Sequence, residues 1–250
     1  MNFMKEKNKN SINVYWSANF NNEESDWSFL YQKPISLFSE LNQIKEKNSD
    51  HFLTCPAVSN KFKKILIFKN SISSSYTYDS NTIIPISKNY LGVSKTRDKS
   101  INVGPIYHFF NSIFLFSEEP LDVFFTPPYF HKPEHIKYGS CIPGEFNIGK
   151  WYRPYNFEVQ MWTNSGEFNI KENEPLYYVD FKTDKKINLY RFNHSKILNN
   201  YSNACIGTTS LFGRGQSLFS RYNKFKQTGL REKILTEIKK NLIDEEPYSF

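Results

Sequence analysis

With 250 residues, 23 Phe and 16 Tyr, the chain is long enough to bury a sizeable core and too rich in rings for an all-helical bundle. No apolar run approaches the ~20 residues of a membrane helix, and the opening MNFMKEKNKN lacks the apolar stretch of a signal peptide, so a soluble, unsecreted protein with no membrane partner is expected. The formal net charge of +7 is local: from Lys182 to Phe250 there are 13 basic and 6 acidic residues, whereas the preceding 181 residues carry 19 of each.

Residues 1–10 are polar and Lys- and Asn-rich, the composition of a disordered terminus. Ile12, Val14 and Trp16 alternate with Asn13, Tyr15 and Ser17 in a first strand, and Leu37, Phe38, Leu41 and Ile44 have the spacing of a short helix. Ile65-Leu66-Ile67-Phe68 is a continuous apolar run, which predicts a strand covered on both faces. Asn70 to Ser75 turns the chain, and Ser80 to Asn102 reads as an exposed excursion. Ile106 to Phe116 and Leu121 to Phe125 follow as strands, the second ended by Pro127-Pro128. A loop from Tyr129 to Pro143 carries two histidines.

Gly144 to Phe181 reads as one continuous antiparallel unit. Phe157, Val159 and Met161 alternate with Glu158, Gln160 and Trp162, Asn164-Ser165-Gly166 supplies a turn, and Phe168 and Ile170 resume the alternation, which predicts a hairpin. A third strand spans Leu176 to Phe181, and a last one carries Ile187, Leu189 and Arg191. After Asn193 the period becomes helical: Leu218, Phe219, Tyr222 and Phe225 mark one amphipathic helix and Leu230, Ile234, Leu235, Ile238 and Leu242 a second. The expected fold is therefore mainly β within an α+β whole: an antiparallel sandwich or barrel over 11–193, with a helical appendage over 194–250 packed on it.

Three stretches carry a resemblance: Cys55-Pro56, the run from Pro143 to Pro154 (PGEFNIGKWYRP), and Glu174-Pro175-Leu176-Tyr177-Tyr178. Together they resemble an uncharacterised protein family of T4-like marine phages, which implies a host-cell cytoplasm or a virion and carries over no catalytic residue. A narrower stretch, the Gly144 to Gly149 turn with a long hairpin and a strand opened by Asn173-Glu174-Pro175, is similar to the β-clip core of dUTPases and dCTP deaminases. The β-clip aspartate position falls on Asn147, which cannot act as a general base. Phe212 to Ser217 resembles a glycine-rich phosphate-binding arm without its full pattern.

The chemistry-bearing residues fall into three groups. His131 and His135 have HxxxH spacing, with His108, Asp122 or Glu134 as a third ligand, although Pro133 argues against a helix there. Trp151, Arg153, Tyr178 and Arg191 mix rings and guanidinium as a ligand-stacking platform would, and Lys224, Arg231 and Lys239 on the basic helices are the candidate phosphate contacts. Cys55, Cys141 and Cys205 are odd in number and far apart, as buried free thiols would be. Walker A, GxGxxG and GxSxG patterns are absent, so no cofactor is expected. The sequence therefore favours a non-enzymatic role in binding a protein or nucleic acid, or in an assembly. The alternative is an enzyme, either a β-clip nucleotide hydrolase or a His-ligated metal enzyme.

Overall fold

The structure, a computed structural model, describes residues 10–18, 32–43, 52–95, 104–206, 225 and 229–250. In chain order its elements are β1 (Ser11–Ala18), β2 (Ile35–Ser36), α1 (Leu37–Gln43), α2 (Pro56–Phe62), β3 (Ile65–Lys69), β4 (Ser74–Tyr78), β5 (Ile83–Pro85), β6 (Val93–Lys95), β7 (Ile106–Ser117), β8 (Asp122–Thr126), β9 (Gly139–Cys141), β10 (Gly144–Asn147), β11 (Pro154–Met161), β12 (Gly166–Ile170), β13 (Pro175–Phe181), β14 (Lys186–Arg191), α3 (Lys196–Ile206), α4 (Leu230–Lys240) and β15 (Tyr248–Ser249). Single 3-10 turns occupy Phe52–Thr54 and Glu134–Lys137.

The strands form open sheets in a sandwich-like arrangement and no closed barrel among the described residues. Sheet A runs β15-β14-β1-β7-β11-β9, with β6 also paired to β7; sheet B runs β10-β8-β13-β3-β2; sheet C runs β12-β4-β5. Among the described residues all pairings are antiparallel except β1 with β14, which joins Ser11–Trp16 to Lys186–Arg191 across most of the chain. One cluster of buried side chains fills the space between the sheets. Trp16, Tyr107, Phe109 and Phe157 reach it from sheet A, Phe68, Phe125, Tyr177 and Phe181 from sheet B, and Tyr76 and Phe168 from sheet C.

Two further clusters cover the outer faces. Tyr15, Phe114, Phe116 and Tyr152 pack under Leu198 of α3 and Ile234 and Ile238 of α4, while Ile65, Ile67 and Tyr178 pack under Leu37 and Leu41 of α1 and Phe62 of α2. The order of layers is helices, sheet A, sheets B and C, helices. This explains why Ile65–Phe68 is buried on both faces, as its apolar run predicts.

The structure departs from the sequence reading at several points. β11 and β12 both form, but they are not a hairpin. The two sides of β11 are taken by β7 and β9, and β12 pairs with β4. Alternation fixes which side chains share a face but not which strand lies alongside, and here the turn after Met161 carries the chain into another sheet. The three strands of the expected continuous unit thus belong to three sheets. The excursion from Ser80 contains β5 and β6, with residues 96–103 outside the described set. The loop before Pro143 contains β9, and the segment after Cys55-Pro56 is a helix with proline in its first turn, where no backbone N–H is required. Cys55 is exposed, whereas Cys141 and Cys205 are buried.

At the C-terminal end, α4 forms where the apolar spacing predicts a helix, and α3 packs beside it. The expected helix from Leu218 to Phe225 lies outside the described residues except Phe225, which is helical and buried. The tail then returns to the sandwich. β15 adds to β14, Phe250 exchanges backbone hydrogen bonds with Ile187, and the Tyr248 hydroxyl accepts the N–H of Ser36 at 3.1 Å.

Two histidines have buried ring nitrogens without hydrogen-bond partners. His135 lies against Phe157, and His194 lies 4.1 Å from the Phe114 ring centre. Burial pushes both down to about 4. The unfolded chain takes up these protons near pH 6.5 while the folded state does not, so stability is complete above that pH and falls as pH drops toward about 4. Each histidine should cost about 3 kcal/mol over that interval. Urea midpoints at pH 7.5, 6.0 and 5.0 will show the decline, and His135→Leu should reduce its slope by about half.

Candidate functional site

The polar groups with the most organised surroundings lie on the outer face of sheet B, and β13 sets them in place. All seven of its residues are buried. A register shift between Pro175 and Tyr177 places Leu176 and Tyr177 both on the inner side, after which Val179 and Phe181 also point inward and Tyr178 faces the helices. Asp180, two residues after Tyr178, shares the outer side.

The approach to β13 is fixed by a turn in which Asn173 takes a left-handed conformation (φ 65°), tolerated by asparagine. The Glu174 carboxylate then accepts the N–H of Glu134 on both oxygens at 3.0 Å and the N–H of Lys171 at 3.2 Å. This clamps the loop containing His131 against the strand. The Tyr178 hydroxyl meets His131 Nδ1, and His131 Nε2 lies 3.2 Å from Glu40 Oε1 on α1. Lys69 Nζ forms an ion pair with Glu40 Oε2 at 3.1 Å.

The roles in this relay follow from the chemistry. The hydrogen bond from His131 and the Lys69 charge hold the Glu40 carboxyl below the usual range against the opposing effect of burial. An ionised carboxylate only accepts, so Nε2 donates its proton to Glu40, and in the Nε2–H tautomer Nδ1 accepts from Tyr178. Burial raises the Tyr178 hydroxyl above its ordinary range, which keeps it protonated as that donor. Both His131 nitrogens are therefore engaged, and the relay fastens α1, the 131 loop and β13 to one another.

Beside it, Asp180 sits at the end of the strand with its side chain 7% exposed. Its Oδ2 contacts Lys61 on α2 and lies 3.3 Å from Lys182 Nζ, but its buried Oδ1 has no partner. Asp180 lines an open cleft of about 510 Å³ together with Asn60, Lys61, Lys64, Lys182, Thr183 and Asp184. Lys61 and Lys64 arrive there because α2 ends at Phe62, whose ring is buried under the sheet, and the following turn feeds β3. The Lys182 ammonium lies 5.2 Å from the Phe124 ring centre. Tyr129 packs edge-on against Tyr178 with ring centres 5.1 Å apart, and burial together with the Asp180 charge raises its hydroxyl. Phe130 stacks on Phe52 at 5.1 Å next to it.

Of the residues singled out in the sequence, this face brings together His131 and Tyr178. His135 lies in the core, and His108 is on sheet A with Nδ1 3.1 Å from Glu158 Oε1. Asp122 accepts the Asn147 amide at 2.6 Å, and Glu134 pairs with Lys137 and Lys171. Among the described residues there is no group of three or more His, Cys, Asp or Glu arranged to hold a metal. Trp151 is buried under α3 and α4, Arg153 lies 5.9 Å from the Phe146 ring centre, and Arg191 lies 5.3 Å from the Trp16 ring centre, all away from Tyr178.

Arg231 and Lys239 turn toward the loop after β7. Arg231 donates to the carbonyls of Gly149 at 2.9 Å, Ser117 at 3.3 Å and Glu118, while Lys239 pairs with the Glu118 carboxylate at 2.7 Å. Lys224 and the Phe212 to Ser217 segment lie outside the described residues. Asn147 donates its amide to Asp122 on the paired strand β8 and accepts the N–H of Gly149 in its own turn.

Sequence reasoning missed Asp180, Lys61, Lys64, Lys182 and Glu40. The available signal was an aspartate inside the otherwise apolar run Leu176–Phe181, since a buried carboxylate requires partners. No family model, curated protein or solved structure compared with the chain matches it. Among the described residues, no helix is long and apolar enough to cross a membrane.

His131→Ala leaves the buried Tyr178 hydroxyl without its acceptor and should cost about 1–3 kcal/mol. Glu40→Gln should cost less, and the double variant should be less destabilised than the sum of the two singles because both act on one relay. Denaturant titration of the four proteins measures both quantities.

Proposed function

We propose that this protein acts by binding a small polar ligand in the cleft over Asp180, without transforming it. The observation that carries this reading is an open cleft lined by Asp180, an almost fully buried carboxylate whose Oδ1 has no hydrogen-bond partner. A buried acceptor without a partner is costly, and a site built to receive a hydrogen-bond donor carries that cost until the donor arrives. The relay supports a binding role. With both His131 nitrogens engaged and Tyr178 buried, it holds β13 in place beside the cleft, and a rigid frame lowers the ordering cost of binding. A binding or assembly role also fits the phage setting implied by the resemblance of the Cys55-Pro56, Pro143 to Pro154 and Glu174 to Tyr178 segments.

Thermal unfolding in the presence of a panel of charged and neutral metabolites tests the proposal. A ligand at about 100 times its Kd adds about 2.7 kcal/mol, which corresponds to about 5–10 °C in Tm for a chain of this size. At least one class should produce such a rise in the native protein and not in Asp180→Asn. A rise of equal size in both proteins would place the site elsewhere, and chemical turnover of the ligand would replace binding with catalysis.

A further inference from the structure

We infer that a single-stranded nucleic acid binds across the outer face of sheet B, with bases stacked on Tyr129 and Phe130 and phosphates attracted by the surrounding lysines. The first support is a set of rings outside the cleft. Phe52 and Phe130 stack with ring centres 5.1 Å apart, and Phe62 meets them edge-on at 6.2 and 4.8 Å. Tyr129 meets Phe130 edge-on at 5.9 Å and Tyr178 at 5.1 Å. Phe62 and Tyr178 are buried, yet Tyr129 is 56% exposed and Phe52 and Phe130 are each 41% exposed. Exposed large apolar side chains that adjoin one another mark an interaction site more often than scattered ones do. The buried rings beneath fix the planes of the exposed ones, so little ordering remains to be done when a flat partner arrives. This shelf runs into the cleft at Tyr129, whose hydroxyl is raised by burial and by the charge of Asp180, a cleft residue.

The charge on this face selects the partner. Lys61 and Lys182 share the single carboxylate of Asp180, and Lys64 pairs with the fully exposed Asp184. Lys63 follows Phe62, with its ammonium 5.1 Å from the Phe38 ring centre, and Lys132 lies two residues after Phe130; both are exposed. Glu40 is matched by Lys69. Among the described residues, these five lysines stand against two carboxylates, an excess of three positive charges. Attraction of a phosphate backbone follows from that excess through counterion release, and no existing ion pair has to be vacated. A partner that presents flat ring faces and repeated negative charge satisfies both halves of the surface. In a duplex the base faces are covered by their neighbours in the stack, so a single strand is the form that offers them to Tyr129 and Phe130. An acidic peptide would satisfy the lysines and leave the rings bare.

Fluorescence anisotropy of the intact protein with a labelled oligothymidylate about 15 nucleotides long tests the inference, alongside the matching duplex and polyglutamate. The single strand should bind most tightly of the three, and its affinity should fall as salt rises. Tyr129→Ala should weaken it about 5- to 150-fold, the loss of one stacked base, whereas Tyr129→Phe keeps the ring and should bind like the native protein. Tyr129→Leu retains apolar volume over Tyr178 but has no ring face, and it should show the same loss as the alanine. Combining Lys63→Met with Lys132→Met should reduce the log–log salt slope by about 1.4, since each phosphate contact contributes about 0.7. Absence of binding at about 50 mM salt, duplex or polyglutamate bound as tightly as the single strand, or unchanged affinity in Tyr129→Leu would overturn the inference. None of these measurements depends on the Asp180-dependent Tm rise, so the strand and the small ligand of the cleft are tested separately.

Discussion

Burial of β13 on both faces is the constraint from which the other layers take their positions, because each of its side chains must suit one of two different neighbours. Tyr177, Val179 and Phe181 complete the core between the sheets, while Tyr178 and Asp180 face α1 and α2. The shift of register at the start of the strand sets this phase. Had Leu176 kept simple alternation with Tyr178, a leucine would face the helices and the inner core would lose a side chain that is wholly buried there. The strand is held between β3 and β8, so a change of phase would break two ladders at once.

A polar layer on an otherwise apolar interface then follows. A tyrosine and an aspartate turned toward helices cannot remain unpaired, and each recruits partners from elements distant in sequence. Tyr178 draws in His131, Glu40 and Lys69, while Asp180 draws in Lys61 and Lys182. The two sets differ in completeness. In the Tyr178 set the hydroxyl and both imidazole nitrogens have partners, the pattern of a network that fixes geometry. The Asp180 set leaves one buried oxygen without a partner in a residue that lines a cleft.

The opposite face of the molecule shows basic residues used for attachment. Arg231 reaches three backbone carbonyls around Ser117, Glu118 and Gly149, and Lys239 reaches the Glu118 carboxylate, which also accepts the Tyr15 hydroxyl at 2.7 Å. These contacts hold α4 on sheet A. Gly149 is part of the same junction, since a side chain there would collide with the Glu119 carbonyl. A surplus of positive charge in the C-terminal quarter therefore includes side chains that bind the protein's own backbone.

The sequence by itself determined the β-rich class, the extents of β1, β3, β7, β8, β11, β13 and β14 to within a few residues, and the helix at Leu230–Lys240. Each of these depends on the periodicity of neighbouring residues, which is a local property. The amphipathic face of α4 and the double burial of Ile65–Phe68 were legible for the same reason. Only the tertiary structure decided the pairing. β11 and β12 are adjacent in sequence yet lie in different sheets, β1 lies parallel to β14, and β15 closes an edge after α3 and α4, because ladder partners are chosen by packing across the whole chain. The candidate site was hidden on the same grounds. His131 and Tyr178 were visible as residue types, but Glu40, Lys61 and Asp180 have meaning only through proximity, and proximity between positions 40, 61, 131 and 180 is set by how the helices close over sheet B.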